Sequence, residues 1–193
     1  MQQHWGGPAT SHTMGANVSH PYAREVERIV PGPPEAIFAA LDDPLRLGRH
    51  MTRPSAMMLG GSMQYRLDAS QGRAVGSVIR VEGRVLGLRL RIVEVVTERD
   101  PPRRKVWETV EEPQLLVFGA YQLGFHIAVE RQGSRLRCFI DYDLPRPPMG
   151  RVLGRIGAHV YARWCLSRMV AEAEAAAREA SFTNADQTRG TDR

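Results

Sequence analysis

"PGPPEAIFAALDDPLRLGRHM", residues 31–51, separates a strand-like stretch, "AREVERIV", from a long run of alternating segments. Its reading decides the fold, because it must carry the chain from the first strand to all the others. Pro33 and Pro34 supply the fixed φ that suits a first helical turn, and Glu35 falls near the positive end of the helix dipole. Ile37, Phe38 and Leu41 form an apolar face at helical spacing. Asp43-Pro44 stops the pattern, since a residue before proline avoids the right-handed helical region. Leu45 and Leu47 then allow a second short turn. Two short helices are expected here, with no evident catalyst in either.

Downstream lie "SMQYRLD", "VGSVIRVEGRV", "LGLRLRIVEVVTE", "RKVWETV", "LLVFGAYQLGFHIAVE" and "SRLRCFIDYDL", divided by turn signals such as "RDPPRR" and "RQGS". Six strands without intervening helices argue for an antiparallel meander, which the first strand extends to seven. After Pro148 no proline interrupts the chain, and Leu153, Ile156, Val160 and Trp164 share one helical face. A helix to about Ala180 would span on the order of 50 Å. Its apolar first half is expected on the sheet, with the Ala/Glu-rich second half projecting past the core.

Alternation separates the faces of the strands. Val117, Tyr121, Leu123, Phe125, Ile127 and Val129 oppose Phe118, Gln122, His126 and Glu130. Leu136, Cys138, Ile140, Tyr142 and Leu144 oppose Arg135, Arg137, Phe139, Asp141 and Asp143. Leu86, Leu88, Leu90 and Ile92 oppose Arg89 and Arg91, and Val75, Ile79 and Val81 oppose Arg80, Glu82 and Arg84. One face is therefore expected to be nearly free of charge, covered by the long helix, with His126 on the wet side. "RKVWETV" stays open: either Trp107 faces inward, or Val106 and Glu108 do. An inward Glu108 would have a raised pKa and could serve as an acid or base. Gly150, Gly154 and Gly157 mark either a close approach of the helix or a loosened helix start.

At 193 residues the chain fits one domain, expected over 22–180, between a disordered arm (1–21) and a disordered tail (181–193). The net charge is +5, but Lys105 is the only lysine among 26 basic side chains. That skew reads as compositional bias, and no nucleic-acid partner is expected. No stretch approaches the ~18 consecutive apolar residues of a membrane span, and the N-terminus lacks the basic and apolar regions of a secretory signal. Cys138 and Cys165 fall in apolar patterns and read as reduced, buried thiols of a cytoplasmic protein. His4, His12 and His20 have neither the spacing nor the partners of a metal site; no metal or cofactor is expected.

The order strand, paired short helices, meander and long C-terminal helix resembles the helix-grip fold of the START-like, SRPBCC superfamily, which includes polyketide cyclase/dehydrase-like proteins. "PGPPEAIFAALDDPLRLGRHM", "TERDPPRRKVWET", "GSRLRCFIDYDLP" and the helix bearing Tyr161 and Trp164 carry the resemblance. It implies an α+β fold with a curved seven-stranded antiparallel sheet around the C-terminal helix. Members often place a tryptophan where this chain has His50, so His50 becomes a candidate entrance residue.

Three functions compete. The first is binding of a lipid, isoprenoid or polyketide-like molecule in an apolar cavity lined by His50, Leu90, Trp107, Tyr121, Leu123, Phe125, Tyr142, Tyr161 and Trp164. Tyr121 and Tyr142 are as readily core tyrosines as ligand contacts. The alternative is a polyketide cyclase or dehydratase in the same cavity, drawing on His50, Glu108, Tyr121 and Tyr142. The third is an interaction module using Arg89, Arg91, Arg135 and Arg137 on the outer face.

Overall fold

The structure is a computed structural model that describes residues 20–52, 60–146 and 148–190. Most of the expected N-terminal arm and the last three residues of the chain lie outside the described residues. The elements are β1 (Tyr22–Val30), α1 (Pro34–Asp42), α2 (Pro44–Leu47), a 3-10 turn (Gly48–Met51), β2 (Ser62–Leu67), β3 (Val78–Val85), β4 (Leu88–Asp100), β5 (Arg104–Thr109), β6 (Tyr121–Glu130), β7 (Gly133–Tyr142) and α3 (Pro148–Gly190). The sheet is antiparallel throughout, in the order β1-β7-β6-β5-β4-β3-β2. This is the expected α+β helix-grip arrangement. Among the described residues, no helix is long and apolar enough to cross a membrane.

β1 and β2 are opposite edges of this sheet, so the segment between them has to traverse its inner face. That geometry explains the punctuation of residues 31–51. Pro34 opens α1, and Ile37, Phe38 and Leu41 are buried in the core. The two aspartates that end α1 have separate tasks. Asp43 caps α2, its Oδ1 accepting from the backbone N–H of Leu45 (2.9 Å) and Arg46 (3.2 Å).

Asp42 is buried. It accepts from Lys105 Nζ at 2.8 Å and from the Arg99 guanidinium at 2.7–3.3 Å. Lys105 Nζ also donates to the carbonyls of Asp42 (2.8 Å) and Gly72 (2.7 Å), so its three protons have three acceptors. Gly72 is held in place by Asp68, which accepts from Ser77 Oγ (2.6 Å) and from the N–H of Val78 (2.8 Å). Burial opposes ionisation of Asp42, but hydrogen bonds from Arg99 and Lys105 outweigh it and keep the carboxyl below its ordinary value. Burial likewise lowers the pKa of Lys105 despite the Asp42 partner.

Several strand expectations change: Val75, Leu88 and Val129, assigned to the dry face, are exposed. β3 and β4 meet in a two-residue turn, Leu86-Gly87, with φ of 51° and 80°. Leu86 is therefore a turn residue in water and not part of the dry face. β6 begins only at Tyr121, which frees Phe118 from the strand's parity; it is buried against Tyr121, Tyr142 and Tyr161. The dry face is also not free of charge. Glu94 shares the parity of Leu90 and Ile92, Lys105 that of Trp107, and both are buried.

The helix expectation changes in which face is buried and in where the second half packs. α3 runs to Gly190, about 65 Å at 1.5 Å per residue. Its buried face is built from small residues, Gly154, Ala158, Ala162, Ala173 and Ala177, with Leu166 and Met169. The Ala-rich second half packs on α1, where a Cβ on Gly32 would meet Ala177 Cβ at 2.6 Å. Arg46 of α2 adds contacts to Glu172 and Glu179, each at 3.1 Å. Leu153, Ile156 and Val160, expected inward, are exposed. Small side chains bring a helix axis close to its neighbours, and that contact outweighs the pull of the larger apolar stripe. Gly154 and Gly150 mark close approach: Cβ atoms there would meet Val117 O and Pro145 Cβ at 2.9 Å each.

Replacing Lys105 with methionine keeps side-chain length but leaves Asp42 with one cation and two carbonyls without their donor. Urea unfolding should show a loss of about 3–5 kcal/mol. Arg99→Met should lose less, because Arg99 is one-quarter exposed against 2% for Lys105. Equal, small losses for both would mean that the ion cluster does not anchor the crossing helices.

Candidate functional site

The inner face of the sheet, α1–α2, the 3-10 turn and α3 enclose a cavity of about 90 Å³. Most of its wall is apolar: Leu41 and Leu47 from the helices, Ile79, Ile92, Leu123 and Ile140 from the strands, and Met169 from α3. Ligand pockets usually reach ~300 Å³ or more, so a larger guest requires movement of the rim. That rim, the partly exposed part of the lining, includes His50 and Met51 on the 3-10 turn and Leu115 before β6.

The polar groups gather on β4, β5 and β6. Val96 pairs with Trp107, and Trp107 with Leu123, which sets Trp107 inward. Glu108 therefore faces outward, where it accepts from Gln122 Nε2 at 3.4 Å, and this closes the question left open by "RKVWETV". The inward carboxyl is Glu94. It accepts from Tyr121 Oη at 2.5 Å and from the Trp107 indole, and it feels the charge of Lys105. Burial raises its pKa from 4.5 to about 7, more than these partners lower it. Burial and the Glu94 charge push the Tyr121 phenol well above its ordinary value, so it acts as a donor. Glu94 escaped the sequence reading even though the signal was present: residues 90, 92, 94 and 96 alternate in one register, with the carboxyl in third place.

At the rim, Tyr65 lies against the 3-10 turn so closely that a Cβ on Gly48 would meet its ring at 2.2 Å. His50 lines the cavity and packs edge-on against Trp164, with ring centroids 4.8 Å apart. Burial pulls its pKa down, with the Arg168 charge in support, which leaves a neutral imidazole near neutrality. Its Nε2 is buried and has no hydrogen-bond partner among the described residues. Tyr161 donates to Met51 Sδ at 3.6 Å, and burial drives the Cys165 thiol up to about 12.

Of the residues selected from sequence, the structure brings His50, Trp107, Tyr121, Leu123 and Tyr161 together on the cavity wall. Trp164 stands behind His50 and Tyr161. Leu90, Phe125 and Tyr142 are core residues off the wall: Phe125 packs between Phe38 and Trp107, and Tyr142 between Tyr22 and Phe118. Their strand parity is inward, but the cavity occupies only part of the inner face. His126 is exposed on the outer face. The outer arginines are largely paired: Arg137 with Glu25, Arg135 with Glu130 at 2.5 Å, and Arg91 with Glu111 at 3.5 Å. Among the described residues, no group of three or more His, Cys, Asp or Glu is placed to hold a metal ion.

Residues 24–174 match the family model for polyketide cyclase/dehydrase and lipid transport. No curated protein matches. Among solved structures, the di-domain ARO/CYC StfQ from the steffimycin biosynthetic pathway aligns with a TM-score of 0.59 at 15% identity, covering 83% of this chain and 51% of that one. TTHA0849 from Thermus thermophilus aligns at 0.57 and 18% identity, covering 83% and 99%. Protein CV1439 from Chromobacterium violaceum aligns at 0.55 and 18% identity, covering 81% and 97%. At these identities the structures attest to the fold alone. The family model spans most of the chain, and the chain belongs to the polyketide cyclase/dehydrase and lipid transport family of the SRPBCC superfamily.

Proposed function

We propose that the chain binds a lipophilic small molecule, of lipid, isoprenoid or polyketide-like class, with its body in the cavity and a polar end at Glu94. The observation that carries this reading is an apolar enclosure with one buried carboxyl, held by a phenol and an indole on its wall. A few convergent polar groups in an apolar pocket orient a guest. Cys138 and Cys165, both free thiols, support a cytoplasmic setting. The paired outer arginines favour a solvated face over a nucleic-acid surface.

Glu94 favours a second reading, a cyclase or dehydratase. A carboxyl with a pKa of about 7 can give or take a proton at neutral pH, and Tyr121 beside it can donate to a developing oxyanion. The two readings part at one substitution. Glu94→Gln should abolish turnover of a polyketide-like substrate in an enzyme, yet leave the affinity of a binder within a few-fold.

Trp107 on the wall and Trp164 behind the rim provide a signal for binding. Detergent-stripped protein titrated with a lipophilic library should show saturable quenching by at least one compound. Ile140→Phe, which fills the cavity from β7, should weaken that binding about tenfold or more. Unchanged fluorescence across the library would remove the binding reading.

Glu94 also sets a pH dependence. It holds its proton more tightly folded than unfolded, so its contribution to stability falls as pH rises from 4.5 through about 7. Over that interval the wild type should lose up to about 3 kcal/mol relative to Glu94→Gln. Paired unfolding curves at matched pH measure the difference. Parallel curves would show a carboxyl that titrates at its ordinary value.

A further inference from the structure

Among the described residues, the first half of α3 has an apolar face that is left exposed. Val152, Ile156 and Val160 recur every four residues and are 60%, 74% and 57% exposed; Leu153 beside them is 48% exposed. Ile156 lies two residues from both Gly154 and Ala158 of the buried face, about 160° round the helix. Scattered exposed aliphatics are ordinary, but four contiguous ones on a rigid helix mark an interaction surface.

The charge around this stripe identifies its partner. No Asp or Glu occurs between Asp143 and Glu172, while Arg151, Arg155, Arg163 and Arg168 fall within that interval; Arg146 lies there too but pairs with Glu112 at 3.0 Å. Arg151, Arg155 and Arg163 are exposed. An isologous pairing of two such helices would bring guanidinium groups together with no carboxylate from this part of α3 between them. A surface that offers negative charge above an apolar layer meets both requirements. Next to the stripe, the half-buried Trp164 is of a residue type that settles at the boundary between headgroups and acyl chains. Trp164 packs on His50, so the stripe runs up to the 3-10 turn.

We propose that the Val152–Val160 face of α3 docks the protein onto an anionic lipid surface. The helix lies in the plane of the interface, with Val152, Ile156 and Val160 at the acyl boundary and Arg155 and Arg163 against the headgroups. It does not cross the bilayer. This inference rests on the exposed helix face and stands apart from the cavity reading.

Co-sedimentation of the full chain with vesicles tests it. Phosphatidylcholine vesicles containing phosphatidylglycerol at one part in three should pull the protein down, and pure phosphatidylcholine vesicles should do so far more weakly. Added salt should weaken the interaction with the mixed vesicles. Ile156→Glu with Val160→Glu should lower partitioning about tenfold or more. Both positions face solvent, and an unchanged thermal midpoint confirms that the variant is folded. Arg155→Gln with Arg163→Gln should remove the preference for anionic vesicles while keeping the residual apolar binding. Three results would overturn the proposal: no sedimentation with either vesicle, equal sedimentation of wild type and the double glutamate variant, or a concentration-dependent dimer that only this variant abolishes. The last would assign the stripe to a second copy of the chain.

Discussion

The arrangement depends on one buried ammonium. Lys105 projects from β5 into the inner face and is met by the Asp42 carboxylate, the Asp42 carbonyl and the Gly72 carbonyl. These acceptors belong to the end of α1 and to the loop after β2. A single side chain thus holds the segment that crosses the sheet and the loop that leads back from its far edge to β3. Three protons meet three acceptors, which suits a compact ammonium and not a planar fork with five donors. In a chain whose other basic residues are all arginine, the lysine has a stereochemical reason. Arg99 supplies the second cation to Asp42 from the more exposed side.

The same pair determines where the cavity can lie. Lys105 and Asp42 hold α1 against the sheet, while the buried alanines of α3 hold the helix against α1. What remains open is the region under α2 and the 3-10 turn, between Tyr65, Glu94 and Tyr161. Its walls are therefore set by rigid elements on three sides, and by the 3-10 turn and the segment before β6 on the fourth. Movement to admit a guest falls to that fourth side, because displacing any other wall would break the ion cluster or the helix–helix contact.

Much of this could be read from the sequence because it rests on local rules. Pro34 opening α1, Asp43-Pro44 closing it, the alternation of Leu136 to Tyr142 and the turns between strands each depend on a few neighbouring residues. The failures concern choices made by tertiary contact. Apolar periodicity selects the largest side chains, and so assigned Leu153, Ile156 and Val160 to the core. The fold instead buried Gly154, Ala158 and Ala162, which let the backbone approach. Phe118 was misplaced because a strand start cannot be located from parity alone. Glu94 was legible but overlooked, because a carboxyl in an otherwise apolar register contradicts the expectation of a dry face. The wall position of His50, by contrast, depends on the turn at Gly48 and could not follow from alternation.

Glu94 also bears on what the cavity is for. Burial of a carboxyl raises the free energy of its charged form, and here that effect exceeds the help from Tyr121, Trp107 and Lys105. If the position served packing alone, a glutamine could accept the same two hydrogen bonds with no ionisation to disfavour. The phenol and indole consume two of the acceptor sites on a carboxylate that offers about four. A group with spare acceptor capacity, placed on an apolar wall and able to change charge near neutrality, is suited to meet a hydrogen-bond donor brought in by a guest. The neutral His50, with its unpartnered Nε2 at the rim, offers a second polar point facing the same space.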